Sequence, residues 1–183
     1  MKLAWSPLRC CLLLFCALVL LAGGGLWLAG DRLPEAWDVD VSQIIDAPQA
    51  EIHGYIEDLH RWPEWSASQE EFPDSSTTFE GPDNGVDAVM HTRAGGSEVR
   101  ITITHSDPLR GVWFDELLAG RVASRGVILY SNQGRRTRVR WQNHGSLGTH
   151  ALARLGNYFL EKSLAEGLKR NLTQLKRVVE AAQ

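Results

Sequence analysis

Apolar and polar residues alternate from Trp37 onward: Val39, Val41 and Ile45 are interleaved with Asp38, Asp40 and Asp46, the period of two expected of a strand with one buried and one wet face. The strand is predicted to end at Ala47. Pro48 then has the fixed φ suited to a first helical position, Glu51 lies favourably near the N-terminal end of the helix dipole, and Ile52, Tyr55, Ile56 and Leu59 recur at helical spacing. That helix is predicted to stop near His60. Trp62 precedes Pro63 and is biased out of the α region, so Trp62 to Ser66 is predicted as a turn carrying two indole rings. Gln69 to Asn84 is rich in Glu, Asp, Ser, Thr, Pro and Gly and reads as loop. Five strands are predicted beyond it, over 86–93, 98–107, 111–118, 121–131 and 135–142, with Gly95-Gly96 closing the first hairpin. After a glycine-containing loop from Asn143 to His150, Leu152, Leu155, Phe159, Leu164, Leu168, Leu172, Leu175 and Val179 trace an apolar stripe along a helix predicted over 151–182.

The first thirty-three residues follow a different pattern. From Cys10 to Gly30 no charge interrupts twenty-one residues, enough at a rise of about 1.5 Å each to cross a hydrocarbon core of about 30 Å. This predicts an N-terminal transmembrane helix: residues 1–33 form the anchor and the start of a short linker, and residues 34–183 form one domain. A cleaved signal peptide is the competing reading, but its apolar region runs about 7 to 15 residues and the small-residue site at Leu28-Ala29-Gly30 is poor. Lys2 and Arg9 precede the run, which by the positive-inside rule places the N-terminus in the cytoplasm and the domain outside, in the periplasm of a Gram-negative cell. All three cysteines, Cys10, Cys11 and Cys16, fall in this run, so the domain holds no disulfide, thiolate metal site or cysteine nucleophile.

Charge narrows the partners further. Residues 34–183 carry 16 basic and 21 acidic side chains, which argues against nucleic acid. The charges are segregated, with 4 basic against 18 acidic over 34–116 and 12 against 3 over 117–183. If the last strand pairs with the first, Arg138 and Arg140 meet Asp38 and Asp40 on the polar face, and the segregation is cross-strand pairing rather than a basic patch.

A strand, then Ala47-Pro48 opening a helix, then Trp62-Pro63-Glu64-Trp65-Ser66, resembles the start of the START-like or SRPBCC superfamily, the group of the polyketide cyclases and dehydrases. A later motif of spaced glycines followed by T-x-V-x-W is matched by Gly126, Gly134, Thr137, Val139 and Trp141. The resemblance covers about the whole of 34–183. It implies an α+β helix-grip fold, in which six further strands follow the first and the antiparallel sheet wraps a long C-terminal helix, with a hydrophobic ligand cavity between. It does not select a function, because folds of this group host lipid carriers, cyclases, chaperone regulators and plant ligand sensors alike.

Six histidines invite a search for catalysis, and none sits in a recognisable constellation. His105-Ser106-Asp107 contains the triad residue types, but neighbours along a strand point to opposite faces and cannot line up. His91 and Arg93 are predicted to face solvent, opposite Val86, Ala88 and Met90, and His53 and His60 to lie on the surface of the first helix. No histidine pair has metal-ligand spacing, and neither a metal nor another cofactor is expected. Trp65, Met90, Ile101, Phe114, Ile128, Tyr130, Trp141 and Phe159 either pack as core or surround a cavity under the long helix, and the resemblance favours the cavity. An apolar cavity of about 300 Å³ left empty would cost several kcal/mol at roughly 24 cal/mol per Å³, so a cavity implies an occupant. The favoured function is a membrane-tethered binding module for a lipid, quinone or polyketide-like molecule. The alternatives are an enzyme of the cyclase or dehydratase type, with Tyr130 or His91 as general acid or base, and a scaffold for another membrane protein whose identity the sequence does not name.

Overall fold

The computed structural model describes residues 32–66 and 72–183, together with positions 16–18, 20, 23–25, 27 and 30. Strand β1 (Trp37–Ile45) leads into helix α1 (Gln49–Ile56), one turn of 3-10 helix (Leu59–Arg61) and the short helix α2 (Trp62–Trp65). Strands β2 (Ser76–Glu80), β3 (Val89–Ala94), β4 (Ser97–Asp107), β5 (Gly111–Leu118), β6 (Val122–Gln133) and β7 (Arg136–Gly145) follow, and then helix α3 (Ala151–Ala181). The seven strands form one antiparallel sheet in the order β1-β7-β6-β5-β4-β3-β2, and α3 packs on β1 and against α1 and α2. This is the helix-grip α+β architecture.

Alternation sorts the faces. In β7, Thr137, Val139, Trp141, Asn143 and Gly145 are buried while Arg136, Arg138 and Arg140 are exposed. Pairing of the first strand with the last sets Val41 opposite Trp141 and brings the Arg140 guanidinium onto Asp40, with Nε 2.8 Å from Oδ1. That guanidinium holds the Asp40 carboxyl below its usual range. Arg138 lies opposite Ile44 and Asp38 opposite His144, so the segregated charges make one ion pair here rather than two. Both partners are largely exposed, so water and salt screen the pair and it adds little to stability.

The segment predicted as loop over 69–84 contains β2, paired with β3 from Ser76↔Arg93 to Glu80↔Val89. Its polar composition concealed it: β2 is an edge strand, and among its residues only Phe79 packs on the core. The strand predicted from Val86 begins only at Val89, because Asp87 takes a φ of 69° and its carbonyl passes close over Gly81, leaving Val86 exposed. Trp62 is helical, with φ −58° and ψ −38°, against the bias of a residue before proline. The helical turn carries both indoles inward while each keeps its hydrogen bond, Trp62 Nε1 donating to Ile56 O at 2.9 Å and Trp65 Nε1 to Tyr55 O at 3.2 Å.

The predicted apolar stripe of α3 holds from Leu164, which packs on the core, through Leu168, Leu172, Leu175 and Val179, which are buried. Leu152 and Phe159 are 63 % and 60 % exposed. Before Leu164 the inward face is Ala153, Asn157 and Leu160, one position round the helix from the predicted Leu152 and Phe159. Asn157 disguised that face by being polar; its side chain accepts from Leu147 N and donates to Glu35 O, so its burial is satisfied.

The predicted transmembrane span falls mostly outside the described residues. Its nine described positions are helical, and all but Gly30 are exposed. Among the described residues no helix is long and apolar enough to cross a membrane. Gly30 itself abuts the start of α3, where a Cβ would come within 2.6 Å of Ala151 O.

Candidate functional site

Between the sheet and α3 lies a cavity of about 360 Å³. Helix α2 supplies Trp62 and Trp65 to its wall, β3 supplies Met90, β4 supplies Val99 and Ile101, β7 supplies Trp141 and α3 supplies Leu168. The indoles brace one another, with ring centroids 5.1 Å apart for Trp62 and Trp65 and 5.9 Å for Trp65 and Trp141. Ser66, Thr92, Ser97, Asn171 and Glu116 are the polar residues of a lining that is otherwise largely apolar.

Of the eight residues predicted around a cavity, Trp65, Met90, Ile101 and Trp141 line this one. Phe114 and Ile128 are buried in the core outside its lining, Phe114 behind the edges of Trp62 and Trp141. Tyr130 is buried outside it too. Phe159 is corrected outright, since the rotated face of α3 turns it outward. Trp62, Val99, Leu168 and Glu116 were not anticipated. For Glu116 one signal existed: it continues the inward parity of Val112 and Phe114 along β5.

Glu116 stands in register with Ile101 of β4 and Ser124 of β6. Its Oε2 accepts from Ser124 Oγ at 2.7 Å and from Asn143 Nδ2 at 2.6 Å, while Asn143 Oδ1 accepts from Trp37 Nε1 at 2.8 Å. Burial pushes the carboxyl above its ordinary value of 4.5, outweighing the two donors, which act in the opposite direction. The unfolded chain ionises at the ordinary value while the folded chain retains the proton to higher pH. The stability tied to this group is therefore full below 4.5 and is lost as pH rises through the folded value. Glu116→Gln should flatten that loss, so thermal melts between about pH 4 and pH 8 should show the variant gaining on the wild type as pH increases. Parallel curves would mean that Glu116 titrates normally.

Glu116 also borders a groove of about 640 Å³ shared with Arg100, Thr102, Asp115, Arg125 and His144. Its charged side chains are exposed, and Arg125 and Asp115 pair with each other at 3.7 Å. The apolar cavity is the better candidate for retaining a ligand.

The general acid or base candidates lie elsewhere. His53, predicted on the surface, is buried, and its Nδ1 is 3.3 Å from the Tyr130 hydroxyl while its Nε2 is 3.0 Å from Glu57 Oε2. With the ring proton on Nε2 facing the carboxylate, Nδ1 accepts from the phenol and every group is paired. Burial, then the Glu57 charge, pushes the Tyr130 phenol upward, so it stays neutral. Ser106 Oγ joins the group, donating to Glu57 Oε2 at 3.3 Å, because a β-bulge after Ile103 sets Ser106 opposite the inward Val112. His105 is thereby turned out against Trp113, which dissolves any triad in His105-Ser106-Asp107. None of these groups lines the apolar cavity. His91 faces outward into a shallow recess between Glu80 and Glu98. Among the described residues no three His, Cys, Asp or Glu side chains cluster in a way that could hold a metal ion.

Fold and cavity together define a helix-grip domain built around an apolar pocket. Residues 36–180 match the polyketide cyclase / dehydrase and lipid transport family, and the chain belongs to it. Similar solved structures include protein CV1439 from Chromobacterium violaceum, at 12 % identity and a TM-score of 0.61 over 80 % of this chain and 99 % of that one. DynU16, a protein of the dynemicin biosynthetic locus, matches at 15 % identity and a TM-score of 0.57 over 80 % of this chain, which spans only 48 % of DynU16. Ara h 8.0201 matches at 10 % identity and a TM-score of 0.57, over 80 % of this chain and 99 % of that one. At these identities the likeness is one of fold alone. A comparison with curated proteins finds no match.

Proposed function

We propose that this protein is a membrane-tethered binding module that holds a hydrophobic small molecule, of lipid, quinone or polyketide-like character, in the cavity between sheet and α3, with the domain outside the cytoplasm. The observation that carries the reading is the cavity itself, about 360 Å³ with a braced wall of three tryptophans, in a family whose description includes lipid transport. The tether is supported by the uncharged run from Cys10 to Gly30 behind Lys2 and Arg9. A second support is the surface of the domain beside that run. Leu152, Tyr158 and Phe159 are exposed on the part of α3 that begins at Ala151, against Gly30, and the Lys162 ammonium donates to the Tyr158 hydroxyl at 2.8 Å. An apolar face edged by tyrosine and lysine suits the headgroup boundary of a bilayer.

The full chain, extracted in mild detergent and examined by native mass spectrometry, is expected to retain an apolar adduct, and Trp141→Ala, once shown to be folded, to lose it. A wild-type protein that carries no adduct and takes up no apolar fluorescent probe would end the binding reading. Orientation is checked separately: intact spheroplasts should lose the domain to added protease, whereas protection until lysis would place the domain in the cytoplasm. One observation favours a second reading, an enzyme of the cyclase or dehydratase type. Glu116 puts a carboxyl with a raised pKa in the wall of the cavity, where neither Tyr130 nor His91 reaches. DynU16 comes from a biosynthetic locus, which is consistent with that chemistry. Turnover of a polyketide-like substrate, abolished by Glu116→Gln with binding intact, would replace the carrier reading by this one.

A further inference from the structure

The polar end of the cavity has a particular geometry. Both hydrogen bonds that Glu116 receives, from Ser124 and from Asn143, converge on Oε2. Among the described residues Oε1 has no hydrogen-bond partner. A neutral carboxyl whose Oε2 lone pairs are taken by two donors carries its proton on the other oxygen, so Oε1 is the O–H donor and Oε2 the acceptor. In the same wall the Trp141 indole N–H is buried and has no partner among the described residues, a second donor that a ligand oxygen would satisfy. The rest of the lining is chiefly aromatic and aliphatic, with Ser66, Thr92, Ser97 and Asn171 able to donate or accept.

We propose that the cavity selects apolar molecules carrying an acceptor oxygen, of the ketone, ester or quinone carbonyl type, and that Glu116 Oε1 donates the hydrogen bond that holds this oxygen. The inference rests on the binding reading above and names the chemistry of the ligand. No covalent step is involved. Burial favours the neutral form of the carboxyl over the two donors that would stabilise its charge, so below its transition, which lies above the ordinary value, the group holds its proton. The charged and titratable groups around it are Arg100 on β4, Asp115 on β5, Arg125 on β6 and His144 on β7, which share the outer groove. None of these makes a hydrogen bond or ion pair with Glu116 among the described residues, and α2 and α3 bring only Trp62, Trp65, Ser66, Leu168 and Asn171 to the cavity. Once Glu116 ionises, a carboxylate oxygen faces the ligand oxygen and its contribution to the preference is lost.

The test compares 2-acetylnaphthalene with 2-ethylnaphthalene, nearly equal in shape and differing in the carbonyl, on the full chain in lipid nanodiscs with empty nanodiscs subtracted. At pH below the Glu116 transition the wild type is expected to bind the ketone about threefold to tenfold more tightly than the hydrocarbon, with the bound carbonyl stretch shifted to lower frequency. That preference should shrink as pH rises. Glu116→Gln turns an amide N–H toward the ligand and should keep a smaller preference that no longer depends on pH, and Glu116→Met should lose most of the preference. A ketone preference undiminished in Glu116→Met, or an absence of preference in the wild type although both probes bind, would overturn the assignment. If neither probe binds the wild type, it is the binding function that fails.

Discussion

Trp65→Ala is expected to cost about 3 to 5 kcal/mol of stability, the range for deleting a large buried aromatic ring, and to lower the thermal midpoint by about 6 to 20 °C. The site explains why the loss should sit at the upper end. Trp65 is 1 % exposed, its ring is bracketed by Trp62 and Trp141, and its N–H holds the carbonyl of Tyr55 at the end of α1. Removing it takes out part of the cavity wall, widens the void and frees a buried carbonyl together. Trp65→Phe separates these effects, since it keeps a ring and loses the N–H, and should cost about 1 to 3 kcal/mol. Urea or thermal unfolding of both variants checks the order; a Trp65→Ala protein as stable as the wild type would mean that α2 is not packed on the core.

Gly126→Ala is expected to destabilise by about 3 kcal/mol, near the top of the range for overpacking a core. The cause is not backbone freedom but a close approach. A Cβ at this position would stand 2.1 Å from Phe114 Cε2 and 2.3 Å from its Cζ. The ring cannot easily withdraw, because Phe114 is 1 % exposed and meets the Trp62 and Trp141 rings at 5.4 and 6.1 Å. Nor can the strand, which is hydrogen-bonded to β5 on one side and to β7 on the other. Phe114→Leu made in the same chain should relieve the clash, so the double variant should be more stable than the sum of the single changes by about 1 kcal/mol or more. Additive losses would show that the added methyl finds room elsewhere.

Local pattern carried much of this molecule. The alternation in β1 and β7, the turn at Gly95-Gly96, which adopts φ values of 55° and 79°, and the long C-terminal helix are properties of short stretches whose periods are 2 and 3.6. Pairing of the first strand with the last was expected from the family resemblance, and the opposite charges on their polar faces agreed with it, one of the two expected ion pairs forming. These features follow from the sequence itself, since an alternating strand or an amphipathic helix must bury one particular side whatever it meets.

What the partner supplies was not legible. β2 becomes a strand through its ladder with β3, although its own residues are mostly polar and exposed. Trp62 adopts the helical conformation because two buried indoles find carbonyls there, an advantage that outweighs the pre-proline bias. The bulge after Ile103 reverses which of His105 and Ser106 faces inward, and one step of rotation along α3 exchanges Phe159 for Leu160 on the buried side. Glu116 is the clearest case. As a letter in the chain it is one more acidic residue, and only the surrounding β4, β6 and β7 make it a carboxyl with a raised pKa at the edge of an apolar cavity. Periodicity determines which side of an element turns inward, but the dielectric, the hydrogen-bond partners and the space around a side chain belong to the elements packed against it, and those the tertiary structure alone decided.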